Sequence, residues 1–311
     1  MASTIVFVMD PLEGIGIEAD TSFAFMLAAQ AQGSRVFHVR PGDISLHGRD
    51  ISLGGSFVEV FDRAGDHFRV IEQARIWARD CDAIFIRTDP PFDEAYLTAT
   101  WLLSCAERQG VRVVNSPAGI RSANEKLYAL EFAEYCPQTL VTSSQDQILE
   151  FLEQHGGSGI VKPLNGHGGF GVLRVSTEDS NTKAIIGLLS QEGSRPILVQ
   201  EFLPEAANGD KRIILVNGEI RGGIMRVPQG GDHRGNVHVG GRVVTCEIDE
   251  SDRAIEAAMG ERLRADGLYF VGIDVIAGKL IEVNVTSPTL VREIARLGGP
   301  DIAAEVIRSL F

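Results

Sequence analysis

Lys162 ends a short apolar segment and is followed by a glycine-rich loop, which reads VKPLNGHGGFGV over residues 161–172. Glycine leaves room for a bulky anion to approach the backbone, whose amides can then point at phosphate oxygens. The lysine supplies a point charge beside them. The glycines concerned are Gly166, Gly168, Gly169 and Gly171. The loop therefore predicts a site for a phosphorylated ligand.

Several known phosphate-binding loops compete for this pattern. Residues 166–171 spell G-x-G-x-x-G, which in a dinucleotide-binding unit follows a strand and opens a helix. Here residues 172–175 indicate a strand instead. The Gly-Lys-Ser/Thr of a P-loop is absent, as are the His-Arg-Asp and Asp-Phe-Gly strings of kinases. The remaining phosphate-binding interpretation is a flap between two strands that covers a triphosphate. The alternative is a glycine-rich hairpin without a ligand.

A second cluster lies in a predicted hairpin, GIDVIAGKLIEVNVTSP over residues 272–288. We expect a three-residue turn that pairs Ile276 with Leu280 and so places Asp274 opposite Glu282. The opposite, buried face is predicted to hold Ile273, Val275, Ile281, Val283 and Val285.

Asn284 lies two residues after Glu282, so strand alternation puts its amide on the same face as the Glu282 and Asp274 carboxylates. Facing carboxylates repel each other unless a positive charge lies between them. An all-oxygen set of this kind suits Mg²⁺, which takes its remaining ligands from water and phosphate. The alternative is an ordinary sheet with one polar face, but a phosphate loop in the same chain favours the metal.

Three arginines and five glycines occur in the segment RVPQGGDHRGNVHVGGR, residues 226–242. No helical period is present, which predicts a mobile lid able to bring guanidinium groups onto carboxylate or phosphate. The alternative is a disordered surface loop. His233 and His238 have no metal-ligand spacing and are interpreted as incidental.

The elements that must position these groups begin with alternating strands and helices in the first third of the chain. This pattern predicts a small doubly wound parallel sheet covered by helices on both faces, with a hairpin across residues 63–66. The predicted strands are 4–9, 35–39, 83–86 and 111–114, and the predicted helices are 21–32 and 97–109.

Ligands of such sheets bind beyond the carboxyl ends of the strands, where three polar clusters fall. Asp10 follows the first strand, Arg87 and Asp89 follow a later one, and Asn115 follows the last. Each cluster also contains proline, so simple turns are the alternative. Arg87 and Asp89 are the favoured contacts.

A second unit begins near residue 121. Ser122 and Glu125 predict a capping box for a helix over residues 124–135. Lys126 would then lie in the first turn, where a cation is unfavourable unless an anion is nearby; a solvated surface lysine is the alternative. The further predicted elements are strands 138–142 and 197–200 and helices 145–155 and 183–191.

The third part follows a predicted hinge at residues 200–204 and contains a hairpin turn at Asn217-Gly218. A helix over residues 251–265 leads into the hairpin of the second cluster. We therefore divide the chain into domains 1–120, 121–200 and 201–311.

Composition excludes several classes of protein. With 311 residues, 44% hydrophobic and 23% charged, the chain is typical of soluble globular proteins. A net charge of −13 argues against nucleic acid. No apolar run reaches membrane-spanning length, and the start shows no secretory signal, so a cytoplasmic location is expected. The four cysteines have no metal spacing, and reduced, mostly buried thiols are expected.

Ordered strings along nearly the whole chain resemble those of bacterial glutathione synthetases, which are ATP-grasp ligases. The strings are MDP at Met9, RTDPPFD at Arg87, NEKL at Asn124, VKPLNGHGGFGV, DKR at Asp210, RVPQGGDHRGN at Arg226 and EVNVTSPT at Glu282. The resemblance implies a mixed α/β and α+β protein, with an ATP-grasp fold preceded by a Rossmann-like N-terminal domain. ATP would lie between the central lobe and the C-terminal part.

The resemblance also implies roles for individual residues. Lys126 and Lys162 would contact ATP phosphates, and Glu282 and Asn284 would bind Mg²⁺, or Mn²⁺ in its place, with Asp274 close by. Other ATP contacts would come from the glycine loop, Gln200, Glu201, Phe202, Leu203 and Asp210. Substrate contacts would come from Asp10, Arg87, Asp89, Asn236, Gly240 and Gly241. Charge in the transition state would be stabilised by Arg212, Arg226, Arg234 and Arg242.

The implied reaction joins γ-glutamylcysteine to glycine through an acyl phosphate, in a protein that forms dimers or tetramers. The lid differs from the family pattern, because Val237, His238 and Val239 stand where small residues are usual. Acceptor specificity is therefore open. An ATP-grasp ligase with other substrates and a non-catalytic nucleotide-binding relative are the alternatives.

Overall fold

The computed structural model describes residues 2–228 and 242–311. Within them, three sheets follow one another along the chain. The first contains the N-terminal strands, the second carries the glycine loop, and the third carries Asp274 and Glu282. The described helices include none long and apolar enough to cross a bilayer. All four cysteines are unpaired, and Cys81 and Cys136 are buried, as expected.

The N-terminal sheet has a parallel centre and an antiparallel extension. Its elements are β1 (Thr4–Val8), α1 (Thr21–Ala31), β2 (Arg35–Val39), β3 (Ile44–His47), β4 (Asp50–Val60), β5 (Phe68–Trp77), β6 (Ala83–Ile86), α2 (Glu94–Arg108) and β7 (Arg112–Val114). Strands β2, β1, β6 and β7 are parallel neighbours, whereas β3, β4 and β5 are joined by antiparallel pairing. The predicted doubly wound core is confirmed, and the hairpin around residues 63–66 joins the long strands β4 and β5.

Strand alternation in β1 explains why helices cover both faces. Ile5 and Phe7 pack with Phe25 of α1, while Val6 and Val8 pack with Leu103 of α2. A strand that is buried on both sides reads as a continuous apolar run. The carboxyl ends of the parallel strands are thereby held between the two helices.

The central lobe is a four-stranded antiparallel sheet with two helices. Its elements are β8 (Thr139–Thr142), α4 (Gln145–Gln154), β9 (Ser158–Pro163), β10 (Leu173–Ser176), α5 (Thr182–Ser190) and β11 (Ile197–Glu201). The strand order is β10-β9-β11-β8. The glycine loop joins β9 to the antiparallel strand β10, so the strand-loop-strand prediction is confirmed.

The predicted helix over residues 124–135 is wrong. Helix α3 (Pro117–Ser122) ends earlier, residues 124–126 are not helical, and a 3₁₀ helix follows at Tyr128–Tyr135. No capping box forms, because the Ser122 hydroxyl donates to the Gly119 carbonyl at 3.0 Å. Tertiary contacts of Glu125 replace the local contact that the sequence suggested.

The C-terminal lobe is a five-stranded antiparallel sheet in the order β14-β13-β12-β15-β16. Its elements are β12 (Asp210–Val216), β13 (Glu219–Val227), β14 (Arg242–Thr245), α6 (Glu250–Ala265), β15 (Phe270–Ile276), β16 (Lys279–Asn284), α7 (Val291–Arg296) and α8 (Ile302–Arg308). Asn217 and Gly218 have φ of 53° and 75°, which confirms the tight hairpin turn between β12 and β13.

One apolar core joins the N-terminal domain to the C-terminal lobe. The rings of Phe25 and Phe270 meet edge to face at 5.0 Å, and both side chains are buried. Asn115 reinforces the junction: its amide nitrogen donates to the carbonyls of Phe270 and Val285, each at 2.8 Å, and its amide oxygen accepts from the Phe270 backbone at 2.7 Å. The two parts are therefore packed as one body.

Candidate active site

A cavity opens between the central sheet and the C-terminal sheet, and most of the predicted nucleotide-binding residues line it. Those that do are Lys126, Lys162, Gly166, Gly168, Gly169, Gln200, Glu201, Phe202, Leu203 and Asp210, and they are joined there by Arg226 from the predicted catalytic residues and by Asp274 and Glu282 from the predicted metal residues. His167 and Phe170 belong to the predicted glycine loop, whereas sequence reasoning missed Ile160, Val172, Ala206, Ile276 and Ile281. The missed residues are apolar, and a single sequence offers no signal that separates such a wall from ordinary core.

Lys162 is buried at the base of this cavity, on β9. Its Nζ donates to Oε1 of Gln200 at 3.0 Å, and Nε2 of Gln200 donates to the Thr139 hydroxyl at 3.0 Å. Burial lowers the pKa of Lys162 to about 8, although the nearby Glu282 carboxylate acts in the opposite direction. The Gln200 side chain therefore orients the lysine.

Lys126 connects the glycine loop to Glu282 at the cavity. Its Nζ is 2.9 Å from Oε1 of Glu282 and donates to the Gly166 carbonyl at 2.6 Å. The side chain is 6% exposed, so the alternative of a solvated surface lysine is excluded. The Lys126 ammonium therefore neutralises the Glu282 carboxylate, and its hydrogen bond to the carbonyl holds Gly166, the first glycine of the loop.

Asp274 is surrounded by guanidinium groups. Arg212 donates to it from Nε at 2.5 Å and from Nη2 at 3.1 Å, and Arg226 Nη2 lies at 3.0 Å. Burial by itself raises the pKa of Asp274, but the two arginines prevail and hold that pKa well below its usual range. Asp274 is thus ionised and paired with both Arg212 and Arg226.

Arg226 also donates a hydrogen bond to Asp210, and each residue of this pair has one buried polar atom without a hydrogen-bond partner among the described residues. These atoms are Oδ1 of Asp210 and Nε of Arg226. Burial raises the pKa of Asp210, and the Arg226 guanidinium partly offsets this. Buried polar atoms without partners are costly, so these two are suited to contact a ligand that enters the cavity.

The hairpin of β15 and β16 pairs Asp274 with Glu282, as predicted, but its turn and strand register differ from the prediction. Ala277 and Gly278 form a two-residue turn with φ of 49° and 72°, so the predicted three-residue turn is wrong and Ile276 pairs with Lys279. A bulge then restores the pairing of Asp274 with Glu282. The bulge also places Ile281 on the cavity wall, so the prediction that it lies on the buried face is wrong.

The donor set fits Mg²⁺. Glu282 offers a partly exposed carboxylate, and the amide nitrogen of Asn284 donates to the Gly272 carbonyl at 3.2 Å, which leaves the amide oxygen available to a cation. Among residues 2–228 and 242–311, His, Cys, Asp and Glu form no group of three or more that could hold a metal. Few protein ligands are what Mg²⁺ needs when phosphate supplies the others.

The glycine loop adopts backbone conformations that side chains disfavour. Gly168, Gly169 and Gly171 have φ of 61°, 80° and 71°. A Cβ on Gly166 would lie 2.7 Å from Cγ of Pro163, so this glycine is required by close approach. Phe170 is 79% exposed at the tip of the loop.

The polar groups at the carboxyl ends of the N-terminal strands form a separate network. The Asp89 amide donates to Oδ2 of Asp10 at 2.9 Å, and the Ser287 hydroxyl donates to Oδ1 of Asp89 at 2.6 Å. Arg87 is buried, and it donates to the Ser22 hydroxyl at 2.9 Å and to the Pro288 carbonyl at 2.8 Å. Asp10 and Asp89 are exposed, whereas Arg87 links the domain to the C-terminal lobe.

Only the ends of the predicted lid are described. Arg226 ends inside the cavity, and Arg242 is an exposed residue of β14 that pairs with Val227. The other predicted lid residues, which are Arg234, Asn236, Val237, His238, Val239, Gly240 and Gly241, lie outside the described residues. Gly171, Arg212 and Asn284 do not line the cavity, although Arg212 bonds to Asp274, which does.

Two solved structures share this architecture over nearly the whole chain. The D-cycloserine synthetase DcsG superimposes with a TM-score of 0.68 at 15% identity, covering 98% of both chains. The ATP-grasp ligase PsnB, in complex with a minimal precursor, gives 0.65 at 15% identity over 99% of this chain and 98% of the other. At such identity the likeness concerns the fold alone, which is the ATP-grasp fold.

The chain belongs to the prokaryotic glutathione synthetase family. The model of the family's N-terminal domain matches residues 4–121, and the model of its ATP-grasp domain matches residues 125–299. The glutathione synthetase of Rhodopseudomonas palustris is 44% identical over 306 residues, or 98% of this chain and 97% of that protein. That of Synechococcus elongatus is 44% identical over 315 residues with the same coverage. The fold class and the family resemblance inferred from the sequence are confirmed.

Proposed function

We propose that this protein joins γ-glutamylcysteine to glycine, with ATP as the energy source, and releases glutathione, ADP and phosphate. One observation carries the proposal. In a chain matched to the family along nearly its whole length, the glycine loop, Lys126, Lys162 and Glu282 meet at a single cavity. These groups provide what phosphoryl transfer requires: donors for phosphate and a carboxylate for a cation.

The reaction begins when the cysteinyl carboxylate of the dipeptide attacks the γ-phosphorus of ATP. The bond to the bridging oxygen breaks, so ADP leaves and an acyl phosphate forms. Lys126 and Lys162 reduce the negative charge on the transferring group, and the glycine loop covers it. Mg²⁺, when bound by Glu282 and Asn284, would supply further charge neutralisation and orient the phosphates.

Glycine completes the reaction. Its unprotonated amine attacks the acyl carbon, phosphate departs with the former carboxylate oxygen, and the nitrogen loses a proton to solvent. No enzyme nucleophile is required, so catalysis rests on alignment and on stabilising the tetrahedral oxyanion. Arg226, which lines the cavity, is the described arginine suited to that task, and the same role for Arg212, Arg234 and Arg242 stays a prediction.

Other features of the proposal come from the family resemblance. We propose that the hinge residues Glu201, Phe202 and Leu203, which follow Gln200 on the cavity wall, hold adenine, and that Asp10 and Asp89 contact the dipeptide. The division into domains 1–120, 121–200 and 201–311, use of Mn²⁺, a dimer or tetramer, and a cytoplasmic location stay predictions.

A second candidate is a ligase of the same class with another acceptor or donor. It is favoured by the bulky Val237-His238-Val239 segment, which stands where the family usually has small residues. A non-catalytic relative is the third. The discriminating experiment measures ADP release with γ-glutamylcysteine and glycine, each alone and together. Turnover that requires both supports the first candidate, turnover with a different amine or carboxylate the second, and none with any pair the third.

A further inference from the structure

The carboxylate of Glu125, which has no role in the proposed chemistry, accepts several hydrogen bonds from the chain that follows β16. It accepts three hydrogen bonds on one oxygen, Oε1: from the Val285 amide at 2.9 Å, the Thr286 amide at 3.1 Å and the Thr286 hydroxyl at 2.9 Å. The Glu125 carbonyl also accepts from the Val283 amide at 2.9 Å. One residue therefore fixes the stretch of backbone that follows Glu282, residues 283–286.

Both neighbours of Glu125 hold parts of the nucleotide cavity. Asn124 donates from Nδ2 to the Leu164 carbonyl and to Oδ1 of Asn165, each at 3.2 Å, at the start of the glycine loop. Lys126 reaches Gly166 and Glu282. The three-residue segment 124–126 thus contacts the loop on one side and the strand that carries the proposed Mg²⁺ ligands on the other.

The backbone held by Glu125 continues directly into the N-terminal network. Ser287 donates to Asp89, and the Pro288 carbonyl accepts from Arg87. Residues 285–288 are therefore fixed from both sides, by Glu125 in the ATP-grasp part and by Asp89 and Arg87 in the N-terminal domain. A shift of this segment would change the position of β16 relative to Lys126.

We propose that Glu125 is a positioning residue, which holds segment 124–126 against the end of β16 so that Lys126, Glu282 and Asn284 keep the spacing needed for a magnesium nucleotide. The inference rests on the proposed use of MgATP. Groups that orient metal ligands from behind typically change metal affinity or activity by about 10- to 100-fold when removed. Glu125 touches no reacting atom and acts through Lys126 and β16.

The test compares Glu125→Ala with Glu125→Gln, whose amide oxygen can accept the same three hydrogen bonds. Binding of ADP with Mg²⁺ is measured by calorimetry, and the KM for MgATP and kcat are measured separately. We expect Glu125→Ala to raise both the ADP Kd and the KM about 10- to 100-fold, with a smaller change in kcat. Glu125→Gln should lie much nearer to the wild type.

Glu293→Ala serves as the matched control, because Glu293 is also a buried carboxylate but pairs with Arg296 of its own helix α7 instead of with residues 283–286. It should lower the melting temperature and leave Kd and KM unchanged. If Glu125→Ala does not fold, Thr286→Val removes one of the three donors, and Thr286→Ser keeps it. The valine variant should raise Kd and KM, and the serine variant should not.

Unchanged Kd and KM in Glu125→Ala or Thr286→Val would overturn the proposal, as would an equal effect of Glu293→Ala. A Glu125→Gln variant as weak as Glu125→Ala would also overturn it, because charge and not hydrogen-bond geometry would then be responsible. Failure of the proposed function has a different signature: the wild-type protein itself would not release ADP with γ-glutamylcysteine and glycine, whereas the comparison of ADP Kd values among the variants requires no turnover.

Discussion

Nζ of Lys126 lies 2.9 Å from Oε1 of Glu282, although 156 positions of sequence separate the two residues. The pair sits at the cavity between the central and C-terminal sheets, with the lysine largely buried. The ammonium group of Lys126 stands beside the Glu282 carboxylate, where a divalent cation bound by that carboxylate would also stand. Entry of a magnesium nucleotide should therefore exchange this contact for contacts to phosphate and metal.

Replacement of Lys126 by methionine should lower kcat/KM for ATP by about 100-fold, because one donor to the transferring phosphoryl group is lost. The measurement is ADP release at varied ATP. Lys183→Met is the control, since Lys183 is an exposed residue of α5 away from the cavity. Equal activity of the two variants would contradict the role given to Lys126.

Glu282→Gln should raise the Mg²⁺ concentration needed for half-maximal activity at least about tenfold, because a neutral amide is a weaker ligand for a hard cation. The circular dichroism spectrum should not change. Glu219→Gln, which alters an exposed carboxylate on β13, should keep the wild-type requirement. Full activity of Glu282→Gln at low Mg²⁺ would show that the metal assignment is wrong.

Nucleotide binding should take up protons near pH 8. Burial lowers the pKa of Lys162 to about 8, so the ammonium is only partly charged there, and phosphate raises that pKa again. About half a proton per site is expected at pH 8, with affinity declining as pH rises further. Calorimetry in two buffers of different ionisation enthalpy measures the uptake. Lys162→Met should lose it, and a wild-type protein without uptake would refute the assignment.

Asp274→Asn should lower the free energy of unfolding by about 3–5 kcal/mol, because Arg212 and Arg226 would keep their charges without the buried carboxylate. The folded pKa of Asp274 is depressed, so its contribution is complete above the unfolded value of about 3.9 and declines as pH falls through the folded value. Urea denaturation at pH 7 and in acid measures both effects.

Asp62→Asn is the comparison for that experiment. Asp62 pairs with Arg292, but its side chain is 58% exposed, and such surface pairs contribute no more than about 1 kcal/mol. If both substitutions lowered the free energy of unfolding equally, the buried cluster around Asp274 would not be an important source of stability.

Gly166→Ala should raise the KM for ATP about tenfold without a matching loss of thermal stability, because the added Cβ would meet Pro163 at 2.7 Å and displace the loop. Gly42→Ala is the control, since a Cβ there meets nothing within 4 Å. A normal KM in Gly166→Ala would mean that the loop tolerates the displacement.

The amino-acid sequence by itself determined the parts of this protein that depend on local patterns. The apolar run of β1, the strand-loop-strand arrangement around Gly166 and the Asn217-Gly218 turn all follow from side-chain periodicity and backbone preference. Ordered strings over the whole chain determined the family. Each of these signals is contained within a few neighbouring residues.

Only the tertiary structure decided which charged groups act together. Asp274 pairs with both Arg212 and Arg226, so its role as a metal ligand stays a prediction, and Arg87 donates to Ser22 and Pro288. Glu125 looked like part of a capping box but accepts hydrogen bonds from residues about 160 positions away. Such pairings depend on how separate sheets pack. A buried charge is stable only when an opposite charge or a hydrogen-bond partner lies beside it, and that partner can come from any part of the sequence.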